Sequence, residues 1–86
     1  MLIEKGMIVK SVAGRDQDRF YVVLDTDGVK ATIADGKVRP LEKPKQKKFK
    51  HLAATTARAD TEKISTNRQL RQVLAAYNGR REENIG

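Results

Sequence analysis

The alternation of apolar and polar residues predicts short β-strands over the first half of the chain. Residues 7–12 form an apolar stretch that ends in turn residues. Residues 20–26 are rich in aromatic and β-branched side chains and end at Asp27-Gly28, a dipeptide typical of hairpin turns. Residues 29–33 then alternate strictly, which places one apolar face inward. These three segments predict consecutive antiparallel strands.

The strand pattern continues less regularly towards the middle of the chain. Val38 and Leu41 predict a short fourth strand, after which Pro44 stiffens the backbone. Phe49, with residues 52–53, predicts a fifth strand that returns to the first and closes the sheet into a barrel. The pattern therefore predicts a mainly β fold, a small barrel of about five strands within residues 1–53.

The second half of the chain has a different period. Residues 54–65 contain almost no large apolar side chain and are predicted to be a linker without a part in the core. Thr66 and Gln69 have the spacing of a capping box at the start of a helix over residues 66–78, and residues 79–86 are predicted to be a flexible tail. One stripe of this helix is apolar: Leu70, Val73, Leu74 and Tyr77. The pattern leaves open whether the stripe packs on this barrel, on another copy or on a partner.

Composition excludes several classes of protein. The chain has 86 residues, enough for one domain, and no cysteine, so it has neither disulfides nor thiolate sites. No stretch approaches the ~20 apolar residues of a membrane span, and we expect a soluble cytoplasmic protein that has no contact with membranes. His51 is the only histidine, with no paired carboxylate nearby in sequence. We therefore expect no enzymatic activity, no metal or other cofactor and no small-molecule substrate.

Positive charge is concentrated in one segment. The chain carries 18 Lys and Arg against 11 Asp and Glu, a net charge of +7. Residues 1–36 have a net charge of −1 and residues 37–51 a net charge of +6. Within residues 43–51 the lysines are crowded with no acidic residue between them, so they repel one another unless a polyanion is bound. This pattern favours nucleic acid as a partner over a merely solvated surface.

Two blocks of sequence resemble the KOW motif. The first is residues 5–16 (KGMIVKSVAGRD), followed by residues 19–23 (RFYVV), and the second is residues 34–45 (ADGKVRPLEKPK), continuing into residues 48–52 (KFKHL). They are similar to small bacterial KOW-domain RNA-binding proteins, which are related to a large-subunit ribosomal protein of eukaryotes and archaea. The chain departs from this pattern at Asp18, where the loop usually carries a glycine. The resemblance covers roughly the first 52 residues and excludes the helix.

The resemblance implies an SH3-like barrel whose loop around Gly14 binds RNA or a protein of the transcription or translation machinery. Ser11, Arg15 and Arg19 would surround Gly14 in that loop. A glycine there lets the backbone approach a phosphate, and guanidinium groups offer forked donors to phosphate oxygens. The loop sequence also permits exposed ion pairs of Arg15 with Asp16 and of Asp18 with Arg19.

The predicted RNA-binding residues come from the loop around Gly14 and from the basic segment, residues 37–51. They are Ser11, Gly14, Arg15, Arg19, Lys37, Arg39, Lys43, Lys45, Lys47, Lys48, Lys50 and His51. Aromatic side chains can stack on unpaired bases. The four aromatic residues of the chain are Phe20, Tyr21, Phe49 and Tyr77, and most of them are expected in the core.

The sequence is compatible with two functions. The first is non-catalytic binding of RNA, specifically structured ribosomal RNA or the ribosome, through the loop and the basic segment. The alternative is a docking module of the transcription or translation machinery, in which the barrel face and the apolar helix stripe bind a partner protein.

Overall fold

A computed structural model describes residues 2–79 and shows a mainly β domain with a short C-terminal helix. Five antiparallel strands form one sheet in the order β4-β3-β2-β1-β5. The strands are β1 (Met7–Ser11), β2 (Phe20–Thr26), β3 (Lys30–Ala34), β4 (Lys45–Lys48) and β5 (Leu52–Arg58). The helix α1 (Asn67–Leu74) continues as one wider π-type turn through Ala75–Gly79. The predicted fold class is thus confirmed.

The sheet is curled so that its two edges approach each other. β4 and β5 lie at opposite edges, yet only a 3₁₀ turn, Phe49–His51, connects them. Three residues bridge at most ~14 Å, whereas the edges of a flat five-stranded sheet are ~19 Å apart. Irregular pairing of β1 with β5 and of β2 with β3 helps the strands bend. The resulting shape is consistent with an SH3-like barrel, although no ladder joins β4 to β5 among residues 2–79.

Both faces of the sheet are buried, which explains the unbroken burial at the centres of β1 and β2. The inner face forms a core around Val9, Tyr21 and Ile33. The outer face of β1, β2 and β3 is covered by Leu70 and Leu74 of α1, which are almost fully buried. The apolar stripe of the helix therefore packs on this domain's own sheet.

The start of α1 follows the predicted capping box. The Thr66 side chain accepts a hydrogen bond from the Gln69 N–H (3.1 Å), and the Gln69 side chain accepts one from the Thr66 N–H (3.1 Å). These two bonds satisfy backbone donors that the first turn of a helix leaves unpaired. The predicted tail, residues 79–86, lies outside the described residues except for Gly79, which ends the π-type turn.

The predicted fourth strand is wrong. Val38 is exposed and Leu41 is half-buried in a turn region. The fourth strand, β4, instead lies within the lysine-rich segment, residues 43–51. The reason is that backbone donors around Val38 bond to a side chain, the Asp35 carboxylate, and the Leu41 N–H donates to the Asn67 side chain (2.8 Å). Val29, predicted on an inward face, is 64% exposed because it lies in the β2–β3 turn.

The predicted linker is wrong over its first half. Residues 54–58 belong to β5 and pair with β1, and Phe49 lies in the preceding 3₁₀ turn. Ala57, Ala59 and Ile64 pack against the outer core beside α1. Just after β5, the Ala59 N–H donates to the carbonyl of Gly6 (2.7 Å), which extends the backbone contacts between β5 and β1.

Candidate nucleic-acid interface

The loop between β1 and β2, residues 12–19, is here called the Asp16 loop. Hydrogen bonds at its base extend the β1–β2 ladder: the Ser11 N–H donates to the carbonyl of Arg19 (2.9 Å), and the Asp18 N–H donates to that of Ser11 (2.8 Å). Gly14 is exposed and has a φ of +85°, which favours glycine, as expected for this loop.

Asp16 anchors the Asp16 loop from below. Its side chain is only 9% exposed, and its carboxylate accepts hydrogen bonds from the Ser11 hydroxyl (2.9 Å), the Tyr21 hydroxyl (3.1 Å) and the Lys47 ammonium (2.6 Å). Burial alone raises the pKa of this carboxyl, but these hydrogen bonds outweigh it and lower the pKa to about 2. Burial and the Asp16 charge together raise the pKa of the Tyr21 hydroxyl well above its usual value.

Two predicted RNA contacts are therefore structural instead. Ser11 is fully buried, and its hydroxyl oxygen lies within hydrogen-bond distance of both the Asp16 carboxylate (2.9 Å) and the carbonyl of Ala13 (3.1 Å). Lys47 is 7% exposed, and its ammonium bonds to the same carbonyl (2.7 Å) as well as to Asp16. Ser11 and Lys47 both face inward on their strands. The buried ammonium of Lys47 needs the carboxylate of Asp16 as its partner. Both residues position the Asp16 loop and, being buried, are not accessible to a phosphate.

Asp18 adopts a left-handed conformation, with a φ of +72°. It is the only non-glycine residue of residues 2–79 with a positive φ, at a position where the expected KOW resemblance predicts glycine. Aspartate tolerates this conformation better than most residues. Its carboxylate lies 3.4 Å from the Lys10 ammonium.

The loop after β3, residues 35–39, is here called the Asp35 loop. The Asp35 side chain is buried and accepts hydrogen bonds from the N–H groups of Lys37 (3.0 Å) and Arg39 (2.7 Å), and it forms an ion pair with Arg19. Arg19 therefore bridges the two loops. The ion pairs that the sequence permitted within the Asp16 loop do not form: Asp16 pairs with lysines of β4 and Asp18 with Lys10.

A cleft of ≈ 580 Å³ opens between the two loops and the end of the helical segment. Of the residues that the structure describes, five cationic side chains line it: Lys10, Arg15, Arg19, Arg39 and Lys45. Its acidic lining residues are Asp16 and Asp18, each already in an ion pair. The apolar part of the wall consists of Phe20, Val38 and Tyr77. We call it the first cleft.

A second cleft of ≈ 350 Å³ adjoins the first and shares Arg19 and Asn78 with it. Lys37 lies at its edge, and α1 contributes Arg68 and Arg71, which the sequence analysis did not select. The Arg71 guanidinium donates to the carbonyl of Gly36 (2.8 Å), so its position is fixed against the Asp35 loop. The i, i+3 spacing indicates that these two arginines are neighbours, but only the packing of α1 shows which surface they join.

The lysine-rich segment is divided between two faces rather than forming one strip. In β4, Lys45 and Lys47 point towards Asp16, whereas Gln46 and Lys48 point outward. Lys48 lies directly opposite Lys30 on β3, and both are exposed. The remaining predicted residues of the segment line neither cleft: Lys43, Lys48, Lys50 and His51. His51 instead accepts a hydrogen bond through its carbonyl from the N–H of Val12 (2.9 Å).

Comparison with known proteins adds no identity. No family model matches the chain, and no curated protein matches it. Within residues 2–79, no three His, Cys, Asp or Glu side chains are grouped as metal ligands would be. None of the helices in that range has the length and apolar composition needed to cross a bilayer.

Proposed function

We propose that the protein is a non-catalytic RNA-binding protein that acts on structured ribosomal RNA or on the ribosome. The observation that supports this most is the convergence, within residues 2–79, of eight cationic side chains from distant parts of the chain on two adjoining clefts: Lys10, Arg15, Arg19, Lys37, Arg39, Lys45, Arg68 and Arg71. Among residues 2–79, the acidic side chains that line the same surface are Asp16, Asp18 and Asp35, and all three are held in ion pairs.

The charge on this surface matches a polyanion. Clustered cations raise the local potential and release condensed counterions when they contact phosphates, which supplies most of the sequence-independent affinity for nucleic acid. Arginines predominate, and their guanidinium groups match phosphate oxygens with paired donors. The choice of ribosomal RNA over other RNAs rests on the KOW resemblance of the Asp16 loop and the segment that follows β3.

The alternative of protein docking relied on the barrel face and the apolar helix stripe. Two residues of that stripe, Leu70 and Leu74, are buried against the sheet, so they do not offer a surface to a partner. The charged side chains around the clefts are mainly cationic, so a protein partner at this surface would have to be acidic.

A salt titration with ribosomal RNA tests the proposal. Replacing Arg15, Arg39 and Lys45 by glutamine removes three cations of the first cleft, and we expect the slope of log affinity against log salt to become shallower by about 2 to 3, because each phosphate contact contributes about 0.7–0.9. Lys47 is left unchanged because it is buried with Asp16.

A matched control removes the same charge elsewhere. Lys5, Lys30 and Lys63 are exposed and line neither cleft, so replacing all three by glutamine should change the slope little. An equal effect of the two triple variants would show that affinity depends on net charge alone. Failure of the unmodified protein to bind ribosomal transcripts at low salt would contradict the proposal.

A further inference from the structure

The first cleft has an aromatic wall that is held rigidly. Phe20 and Tyr77 lie with ring centroids 5.1 Å apart and an interplanar angle of 40°. The Asn78 side chain donates to the Phe20 carbonyl and accepts from the Phe20 N–H, both at 2.9 Å, in the way that a neighbouring strand would pair. This paired contact fixes the end of the helical segment, and with it Tyr77, over the start of β2.

An apolar residue stands on the Asp35 loop at the same cleft. Val38 lines the cleft and is 54% exposed. Phosphate groups gain nothing from apolar surface, so a cleft that bound only the RNA backbone would have no use for this exposed valine. The rings of Phe20 and Tyr77 pack against the outer core and also line the cleft beside it. An exposed apolar wall in a highly charged surface instead suits the flat face of a base.

Cations surround this wall, and the acids beside them are already engaged. Arg15 and Arg39 form no ion pair with any residue of the described range, 2–79. Lys45 lies 3.7 Å from Asp16, but that carboxylate is shared with the buried Lys47 at 2.6 Å. A ligand that satisfies this cleft is therefore aromatic at its centre and anionic on both sides.

We propose that the first cleft binds one unpaired nucleotide of the RNA, with its base against Tyr77, Phe20 and Val38. The phosphates on either side of that nucleotide contact Arg15, Arg39 and Lys45. The volume, ≈ 580 Å³, lies within the range of pockets that enclose small organic groups. Bases inside a continuous duplex are stacked and paired, so only a bulged, looped or single-stranded nucleotide can enter. This inference rests on the proposed RNA-binding function and makes it specific for RNA with unpaired positions.

Three RNA hairpins that differ at one position separate the inference from the proposed function. The first has a single bulged nucleotide in its stem, the second has an abasic residue at the bulge, and the third has a fully paired stem. We expect the unmodified protein to bind the bulged hairpin about tenfold or more tightly than the abasic one, because stacking of one base on an aromatic side chain has an effect of that order. The abasic and paired hairpins should show the same backbone-dependent binding.

The outcomes are distinct. Equal affinity for all three hairpins would contradict the inference and leave the proposed function intact, whereas absence of binding to all three at low salt would contradict both. Binding of a free nucleoside monophosphate as tight as binding of the bulged hairpin would also overturn the inference, because the flanking phosphates would then contribute nothing.

Substitution of Tyr77 tests the position of the base. Tyr77→Leu keeps an apolar side chain against the sheet and should reduce the preference for the bulged over the abasic hairpin to near unity, with affinity for the abasic hairpin retained. Tyr77→Phe keeps the ring and should retain the preference. A Tyr77→Leu variant that is folded and still prefers the bulged hairpin tenfold would exclude this cleft as the base site.

Crosslinking of the unmodified protein gives an answer that does not depend on the stability of a variant. A 4-thiouridine placed at the bulge should crosslink on irradiation to residues that line the first cleft, foremost Tyr77, Phe20 and Arg39, as mapped by mass spectrometry. Crosslinks confined to the exposed lysines on the other face of β4 and β3, such as Lys48 and Lys30, would overturn the inference.

Discussion

The two loops beside the first cleft use the same elements for different purposes. Each contains a glycine with positive φ and an aspartate whose side chain is largely buried and paired with a cation. In the Asp16 loop the aspartate is held by side chains of neighbouring strands, Ser11, Tyr21 and Lys47. In the Asp35 loop it is held mainly by backbone N–H groups of its own turn.

The glycines show how the outer surfaces of the two loops differ. A Cβ atom at Gly14 would have ordinary contacts, 3.5 Å from Asp16 and Lys47, whereas one at Gly36 would lie 2.5 Å from the carbonyl oxygen of Asn67. The Asp35 loop is therefore covered by the start of α1, while the Asp16 loop is anchored from below and open above. In both loops an acidic residue within a basic surface therefore positions a cationic side chain, Lys47 or Arg19, rather than repelling an anionic ligand.

We expect the largest change in stability from removal of the Asp16 carboxylate. Asp16→Ala leaves the ammonium of Lys47 buried without a carboxylate, and we expect unfolding free energy to fall by about 3–5 kcal/mol. Asp35→Ala should cost less, about 2 kcal/mol, because the side chain of Arg19 is 22% exposed and can reach water. Urea denaturation measures both. Asp25→Ala, at an exposed position, is the control and should change stability by less than about 0.5 kcal/mol.

The two glycines should respond unequally to the same change. Gly36→Ala combines a strained φ with a backbone clash against α1, and we expect a loss of about 2–3 kcal/mol. Gly14→Ala meets only the φ penalty, about 1 kcal/mol. Thermal and urea unfolding of the pair measure the difference. Equal losses would show that α1 does not press on the Asp35 loop.

Acid should weaken the Asp16 loop anchor through the Asp16 carboxyl. Its pKa is lowered from 3.8 to about 2 in the folded protein, so its stabilising contribution is complete above pH ~4 and is lost as pH falls towards 2. The loss should amount to roughly 2 kcal/mol, measured by urea denaturation at pH values from 5 to 2. Asp16→Asn is the control: it should be less stable at pH 5 and should lack this part of the pH dependence.

The smallest effect concerns the left-handed residue of the Asp16 loop. Asp18→Gly removes the strain of a positive φ at a non-glycine residue but also removes the ion pair with Lys10, which is exposed and weak. We expect a stabilisation of about 0.5–1 kcal/mol, measured by urea denaturation, together with tighter RNA binding because one acidic group leaves the first cleft. Asp18→Ala keeps the strain, so a stabilisation as large as that of glycine would contradict this explanation.

Local sequence signals predicted the elements whose contacts are local. β2 occupies the predicted residues 20–26, and α1 begins after Thr66 because its cap involves residues only three apart. The signals failed where a distant group decides the backbone. Residues around Val38 are turned by the Asp35 carboxylate instead of pairing as a strand, and residues 54–58 become β5 because β1 offers them an edge.

The candidate site was predicted in part for the same reason. Arg15, Arg19, Arg39 and Lys45 line the first cleft as members of a predicted basic surface, but Lys47 of the same segment is buried. Alternation along β4 separates neighbours in sequence to opposite faces. Arg68 and Arg71 were not predicted, because they come close to the two loops only when α1 packs on the sheet.

The sequence by itself determined most of β1, β2, β3 and α1, the turn glycines and the excess of positive charge, because these depend on neighbouring residues, whereas the place of β4 and the length of β5 did not follow from it. Only the tertiary structure decided which cations share a surface and which are buried with a counter-charge. Long-range packing brings together side chains from four parts of the chain, and a charge acts on a ligand according to its position in space and its exposure to solvent.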